Sequence, residues 1–115
     1  MIRGGAVILN VTDVPRAVRF YIETLGMKLV EEQPDGTSVI DAGEGFHIAL
    51  RQSGGGAPGA SPAPVVLLYP KVPLDEAIAI YENRGVAFDV DRSGGAVVAR
   101  FRDPDANLLC LVQGT

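Results

Sequence analysis

The side chains best suited to chemistry lie in one short alternating segment of this chain. In Phe46–Gln52, apolar residues alternate with His47, Ala49 and Arg51, so strand geometry predicts that these three share a face. A histidine there can act as a general acid or base or as a hydrogen-bond partner, and Arg51 can clamp an anionic or carbonyl group. The competing interpretation is a half-exposed strand histidine beside an arginine that reaches solvent, because no second titratable group is near in the sequence.

Cys110 and Asn10 are the remaining candidates. Cys110 lies in the apolar segment 108–112, which is typical of a small buried hydrophobic residue with an inert thiol. The alternative is a nucleophilic pair of Cys110 with His47. Asn10 is either a polar contact in a pocket or a strand-end residue that bonds a turn.

Two amphipathic helices are predicted to support the strands that carry these residues. The first begins after Asp13, whose carboxylate suits the N-cap position, accepts Pro15 in its first turn, and ends at Gly26. The second covers Leu74–Arg84 and ends at Gly85. One face of each helix is apolar: Val14, Ala17, Val18, Tyr21 and Leu25 in the first, and Leu74, Ala77, Ile78 and Tyr81 in the second.

Each helix is accompanied by four predicted strands, and the two halves repeat the order β-α-β-β-β. The last strands of the halves correspond at an offset of 61 residues, with Ile48 opposite Leu109. We therefore predict one domain over 1–115, with module one at 1–52, a linker rich in Gly, Ala and Pro at 53–64, and module two at 65–115. The predicted fold class is α+β, with two tandem βαβββ modules whose curved mixed sheets surround a shared cavity.

Composition excludes several classes of function. The 115 residues carry a net charge of −4, and the ten basic residues are scattered, so neither a nucleic-acid partner nor an anionic membrane surface is expected. No apolar run approaches the roughly 20 residues needed to span a bilayer. The first residues lack the features of a signal peptide, which predicts a cytoplasmic protein. A single cysteine excludes an internal disulfide and any multi-cysteine metal site.

Short motifs in both halves resemble those of the vicinal-oxygen-chelate superfamily, which includes glyoxalases, extradiol dioxygenases, fosfomycin-resistance enzymes and bleomycin-resistance binding proteins. In the first half they are Val-Thr-Asp at 11–13, Ala17, Phe-Tyr at 20–21 and Leu-Gly-Met at 25–27. In the second half they are Ala77, Arg-Gly-Val at 84–86 and Asp-Pro-Asp-Ala-Asn at 103–107. The chain departs from the pattern at Ala106, where the family usually has glycine.

The resemblance also identifies where metal-using members of the superfamily place their ligands. Those positions lie on the first and last strands of each module and correspond to Ala6, Ala49, Val66 and Cys110 in this sequence. None of the four is a carboxylate or an imidazole, and a catalytic divalent ion typically needs about three protein ligands. The resemblance therefore implies that this chain has no metal site and no cofactor.

Three functions remain open. The first is a metal-free binding protein for a small, mostly apolar ligand, such as an antibiotic or a metabolite, although the absence of Trp disfavours tight ring stacking. The second is a glyoxalase-type lyase or isomerase, or a dioxygenase-like enzyme, that uses His47 and Arg51 without the usual metal. The third is a structural or regulatory module whose own side chains fill the cavity. The resemblance further implies a homodimer.

The predicted ligand-binding residues are those that strand alternation places on the same side as the positions that face the cavity in the family. They are Ala6, Ile8, Asn10, His47, Ala49, Arg51, Val66, Leu68, Cys110 and Val112. His47, Arg51 and Cys110 are the catalytic candidates within this set.

Overall fold

The structure is a computed structural model that describes residues 4–53 and 64–113. The chain divides into two compact units, the first ending at Pro64 and the second beginning at Val65. The interior of the predicted linker, 54–63, lies outside the described residues. In the described ranges, no helix is long and apolar enough to cross a membrane.

The first unit is a four-stranded mixed sheet with one helical layer. Its strand order is β1-β4-β3-β2, in which β1 runs parallel to β4 and the other neighbours are antiparallel. Its elements are β1 (Gly5–Val11), α1 (Val14–Arg19), a π-helical segment (Phe20–Thr24), β2 (Lys28–Glu32), β3 (Ser38–Gly43) and β4 (Phe46–Gln52).

The second unit repeats this topology. Its strand order is β5-β8-β7-β6, and β5 is again parallel to β8. Its elements are β5 (Val66–Leu68), α2 (Leu74–Glu82), β6 (Asp89–Asp91), β7 (Val98–Arg102) and β8 (Leu108–Val112). The predicted α+β fold of two tandem βαβββ modules is thereby confirmed, whereas the shared cavity remains a prediction.

The first helix begins as predicted but does not continue as one regular α-helix. The carboxylate of Asp13 accepts the backbone N–H of Arg16 at 3.1 Å, which satisfies one of the free amides of the first turn. After Arg19 the helix widens, and the N–H of Leu25 donates to the carbonyl of Phe20, five residues back. This wider turn leaves both Tyr21 and Leu25 buried.

The start of α2 is capped by a residue from the other end of the unit. Pro73 occupies the N-cap position and has no side chain that can accept a hydrogen bond. The side-chain oxygen of Gln113 instead accepts the N–H of Leu74 at 3.0 Å. Asp75 and Glu76 lie in the first turn, where the helix dipole favours negative charge.

Each unit buries one face of its sheet together with the apolar stripe of its helix. In the first unit, α1 packs against β3 and β4. The fully buried sheet residues there are Leu9, Val11, Ile40, Ile48 and Leu50. In the second unit the corresponding buried residues are Val66, Ala99, Phe101, Leu109 and Leu111.

The turn between β7 and β8 is held by a buried carboxylate. Asp103 accepts the backbone N–H groups of Asp105 and Asn107 at 2.9 and 2.8 Å, and the side-chain amide of Asn107 at 2.9 Å. Ala106 lies within this turn at φ +66°, in the left-handed region that disfavours any residue with a Cβ. This backbone conformation gives a physical reason for the glycine that the resembling family usually has at this position.

We predict that Ala106→Gly stabilises the protein. The left-handed conformation costs a non-glycine residue about 1–2 kcal/mol, whereas glycine loses roughly 0.5–1 kcal/mol more backbone freedom on folding. The expected result is a gain of about 0.5–1 kcal/mol in the free energy of unfolding, measured by urea denaturation.

The matched control is Ala79→Gly, the same substitution at an exposed position within α2. A helical alanine exchanged for glycine should lower the free energy of unfolding by about 1 kcal/mol. The changes in the free energy of unfolding should therefore have opposite signs in the two variants. Destabilisation by Ala106→Gly would contradict the left-handed backbone at this turn.

Candidate functional site

The predicted face of the first sheet is set by the register of β1 and β4. Because cross-strand partners project to the same side of a sheet, the paired residues form three rows. The rows are Ala6 with His47, Ile8 with Ala49, and Asn10 with Arg51. These six residues therefore share one face, which we call the outer face of the first sheet, opposite the face that packs against α1; their role in ligand binding stays a prediction.

The register of β3 extends the first row of this face by a residue that the sequence analysis did not identify. Asp41 is the cross-strand partner of His47, and Lys28 of β2 is in turn the partner of Asp41. One oxygen of the Asp41 carboxylate accepts the N–H of Gly43 at 2.7 Å. A histidine, a carboxylate and an ammonium therefore lie side by side at one end of the outer face.

The middle row of the outer face is apolar. Val39 of β3 is the partner of Ala49, which itself is paired with Ile8. Ile8 is 49% exposed, although it is a large aliphatic residue in the centre of a strand. Ala49 is nearly buried between its neighbours, so Ile8 presents most of the accessible apolar surface of this row.

The third row carries a fixed guanidinium. Nε and Nη2 of Arg51 both donate to the side-chain oxygen of Asn10, each at 3.3 Å. The pKa of Asp35 is lowered from its usual value, chiefly because its carboxylate accepts hydrogen bonds from the backbone N–H and the hydroxyl of Thr37; the positive charge of Arg51 adds to this effect. Asn10 thus contacts Arg51 on this face, and its role in a pocket stays a prediction.

The strand pairing in the second sheet contradicts part of the predicted site. Val66 is paired with Leu109 and Leu68 with Leu111, whereas Cys110 is paired with Leu67. Val66 and Leu68 therefore lie on the face opposite Cys110, and the expectation that they share its face is wrong. Val66 is only 2% exposed, while Leu67 is 50% exposed.

The reason for this error is a change of offset between the two modules. The pair formed by Ile8 and Ala49 corresponds to the pair formed by Leu67 and Cys110, so β5 follows β1 by 59 residues while β8 follows β4 by 61. The predicted correspondence of Val66 with Ala6 is an offset of 60 residues, and a shift of one residue reverses the face of a strand.

The outer face of the second sheet, which contains Leu67, Cys110 and Val112, has a different chemistry. Arg100 of β7 is the cross-strand partner of Cys110, and Arg102 lies two residues further on the same strand. Burial raises the pKa of the Cys110 thiol, and the charges of Arg100 and Arg102 only partly oppose this effect. Cys110 and His47 belong to different units, and their nucleophilic pairing remains a prediction that the raised thiol pKa disfavours.

The family's metal positions do not fit a metal ion in this chain. Ala6 and Ala49 lie on the outer face of the first sheet and offer no donor atom, and Val66 points away from Cys110. Residues 4–53 and 64–113 contain no group of three or more His, Cys, Asp or Glu side chains arranged to hold a metal ion. One thiol alone does not make a catalytic metal centre.

The chain contains two βαβββ modules in tandem, and each leaves one face of its sheet without a helix. This arrangement places it in a class of proteins with a repeated βαβββ fold. The chain belongs to the Glyoxalase/Bleomycin resistance protein/Dioxygenase superfamily, whose family model matches residues 5–111. No curated protein matches the chain significantly.

Solved structures of the same superfamily match nearly the whole chain. A superfamily member from Sphaerobacter thermophilus is 25% identical with a TM-score of 0.79, over 99% of this chain and 98% of its own. TnmS3, an antibiotic-binding protein from Streptomyces sp. CB03234, is 26% identical with a TM-score of 0.77, over 100% and 98%. A lactoylglutathione lyase from Agrobacterium tumefaciens, 20% identical over 95% and 91%, shares the fold at a TM-score of 0.76.

We predict that Cys110 is unreactive in the folded protein. Its raised pKa and 3% exposure reduce both the thiolate fraction and the access of a reagent. Alkylation by iodoacetamide at pH 8 should be at least about tenfold slower in the native protein than in guanidinium, as followed by intact mass.

Ala96→Cys supplies the matched control, because this residue is exposed in the turn before β7. The variant should gain one rapidly alkylated thiol and retain one slow thiol. Rapid alkylation of Cys110 in the native wild-type protein would show that its environment is electropositive and accessible.

Proposed function

We propose that this protein is a metal-free small-molecule-binding protein that sequesters or carries a small, mostly apolar ligand, such as an antibiotic or a metabolite. The observation that carries the proposal is the outer face of the first sheet. It presents an exposed aliphatic side chain, Ile8, between two polar rows, at a place where the family's metal ligands are replaced by alanine. A mostly apolar lining with a few polar groups that fix orientation is typical of a small-molecule site.

The comparison with TnmS3 supports the proposal. TnmS3 is described as an antibiotic-binding protein, and it is 26% identical to this chain over its whole length. The lactoylglutathione lyase is only 20% identical and supports the shared fold alone. Of these two proteins, the antibiotic-binding protein is therefore the better guide to function.

The binding residues that we propose follow the observed register. In the first sheet they are Ala6, Ile8, Asn10, His47, Ala49 and Arg51. In the second sheet, Leu67 replaces Val66 and Leu68 beside Cys110 and Val112. An apolar centre favours burial of a ligand's hydrocarbon, and the polar residues at the ends set its orientation.

One observation favours a second function, metal-free acid–base catalysis. No titratable partner of His47 is evident from the sequence alone, but the pairing of β3 with β4 brings Asp41 beside it. A carboxylate next to an imidazole can orient the ring and stabilise its protonated form. Within the described residues no hydrogen bond joins the two side chains, so binding remains the function that we favour.

We further propose that the protein acts as a cytoplasmic homodimer without nucleic-acid or membrane partners. The net charge of −4 supports the absence of a nucleic-acid partner, since phosphate binding requires clustered basic residues. Sedimentation velocity measures the oligomeric state directly.

We predict that native mass spectrometry of freshly purified protein will detect a bound organic compound that is lost on denaturation. Elemental analysis after dialysis against zinc, nickel, manganese and iron should find less than one ion per chain, because the family's ligand positions lack donor atoms. One tightly held ion per chain, retained in the presence of a chelator, would contradict the metal-free proposal.

We also predict that Ile8→Asn weakens binding. Half-burial of an isoleucine side chain contributes about 1 kcal/mol, so the dissociation constant should rise about five- to tenfold. The probe is the compound that gives the largest thermal shift in a panel of planar antibiotics, dicarbonyls and acyl compounds, and calorimetry measures its affinity.

The control for this variant is Ile80→Asn, which alters an exposed isoleucine on α2 and should leave the affinity unchanged. Equal losses in both variants would show that the outer face of the first sheet is not the binding surface. His47→Gln tests the second function, because it should abolish turnover of any substrate found in the panel while weakening its binding by a much smaller factor.

A further inference from the structure

The third row of the outer face contains an arginine whose orientation is already set. We propose that Arg51, positioned by Asn10, is a carboxylate subsite, and that the ligand is therefore an elongated apolar monoacid. This inference rests on the proposed binding function and specifies its ligand class.

Asn10 holds one edge of the guanidinium and leaves the other edge available. A guanidinium has five N–H donors. Nε and Nη2 each use one on the side-chain oxygen of Asn10, so three remain without a hydrogen-bonding partner among the described residues. The remaining N–H groups of Nη1 and Nη2 form the fork that binds a carboxylate through two parallel hydrogen bonds.

The charges around the outer face favour an acid at this end rather than at the other. Asp35, the carboxylate whose pKa is lowered in part by Arg51, is already engaged by the N–H and hydroxyl of Thr37. At the opposite end, Asp41 lies between His47 and Lys28, so the charge of the Lys28 ammonium is already matched by a carboxylate of the protein. A ligand with one acidic group is the best electrostatic match.

The spacing of the rows defines the shape of the ligand. His47 and Arg51 are four residues apart on β4, which corresponds to about 13 Å at the rise of a strand. The row between them consists of Ile8, Ala49 and Val39. A ligand that spans this face therefore needs an extended hydrocarbon or aromatic body behind its carboxylate.

The histidine and arginine on the outer face are specific to the first module, because the second module has other residues at the corresponding positions. At the 61-residue offset that relates β4 to β8, Arg51 corresponds to Val112 and His47 corresponds to Leu108. The same backbone positions in the second sheet therefore carry aliphatic side chains. The acid-recognition residues are not a general property of the βαβββ module in this chain.

The experiment compares two probes that differ only in the head group, the carboxylate of 6-phenylhexanoate and the neutral amide of 6-phenylhexanamide. Isothermal titration calorimetry at pH 7.5 should show the acid binding about tenfold more tightly than the amide, as expected for a charge-assisted pair on an exposed arginine. Arg51→Gln should reduce this preference to less than about twofold, and Arg51→Lys should give an intermediate value because it keeps the charge without the fork.

The matched control is Arg19→Gln, which removes the same charge from the exposed side of α1 and should retain the full preference. Asn10→Ala tests positioning: it should lower affinity for the acid without changing affinity for the amide. In ¹⁵N-correlated spectra, the Nε–H signal of Arg51 should shift on addition of the acid and not on addition of the amide.

Each outcome separates this inference from the broader proposal. Equal affinities for acid and amide in the wild-type protein, or a preference that survives Arg51→Gln, would overturn the carboxylate subsite while leaving the binding function intact. Failure of the wild-type protein to bind either probe, or their analogues with four and eight carbons in the acyl chain, would overturn the acid-ligand class. An empty native mass spectrum in addition would overturn the binding function itself.

Discussion

The pairing of the parallel strands β1 and β4 is the constraint on which the candidate site depends. Because partners across a sheet project to the same side, this one register decides that His47, Ala49 and Arg51 lie beside Ala6, Ile8 and Asn10. The hydrophobic core enforces the register, since a slip of one residue would expose Leu9 and Val11 and bury Asn10. The stability of the helix-covered face therefore determines the chemistry of the outer face.

That outer face combines two kinds of row with different physical roles. The polar rows gain little from desolvation and are suited to fix the orientation of a ligand, whereas the Ile8 row offers hydrophobic burial that is not directional. Metal catalysis would require donor atoms at Ala6 and Ala49, and alanine supplies none. The proposed binding of an apolar molecule requires no donor atom at either position.

The fold could be predicted from the sequence further than the site could. Helix capping by Asp13 and the alternation in β4 are local signals, and the structure confirms both the cap and the bounds Phe46–Gln52. The wider helical turn after Arg19 has no such signal, because side-chain periodicity does not reveal the spacing of backbone hydrogen bonds. The pairing of Asp41 with His47 and the reversed face of Val66 depend on register between strands, which alternation within a single strand does not encode.

The two modules show how a repeated backbone can hold different chemistry. Ala49 and Cys110 occupy corresponding central positions, and both are small and nearly buried. Their neighbours differ: β4 adds an imidazole and a guanidinium, whereas β8 adds leucine and valine, and the basic residues of the second sheet lie instead on β7. Raising the thiol pKa by burial keeps Cys110 neutral, so the apolar strip beside it stays apolar at physiological pH. The outer face of the first module therefore carries an imidazole, a carboxylate and a guanidinium, whereas that of the second combines an apolar strip on β8 with the arginines of β7.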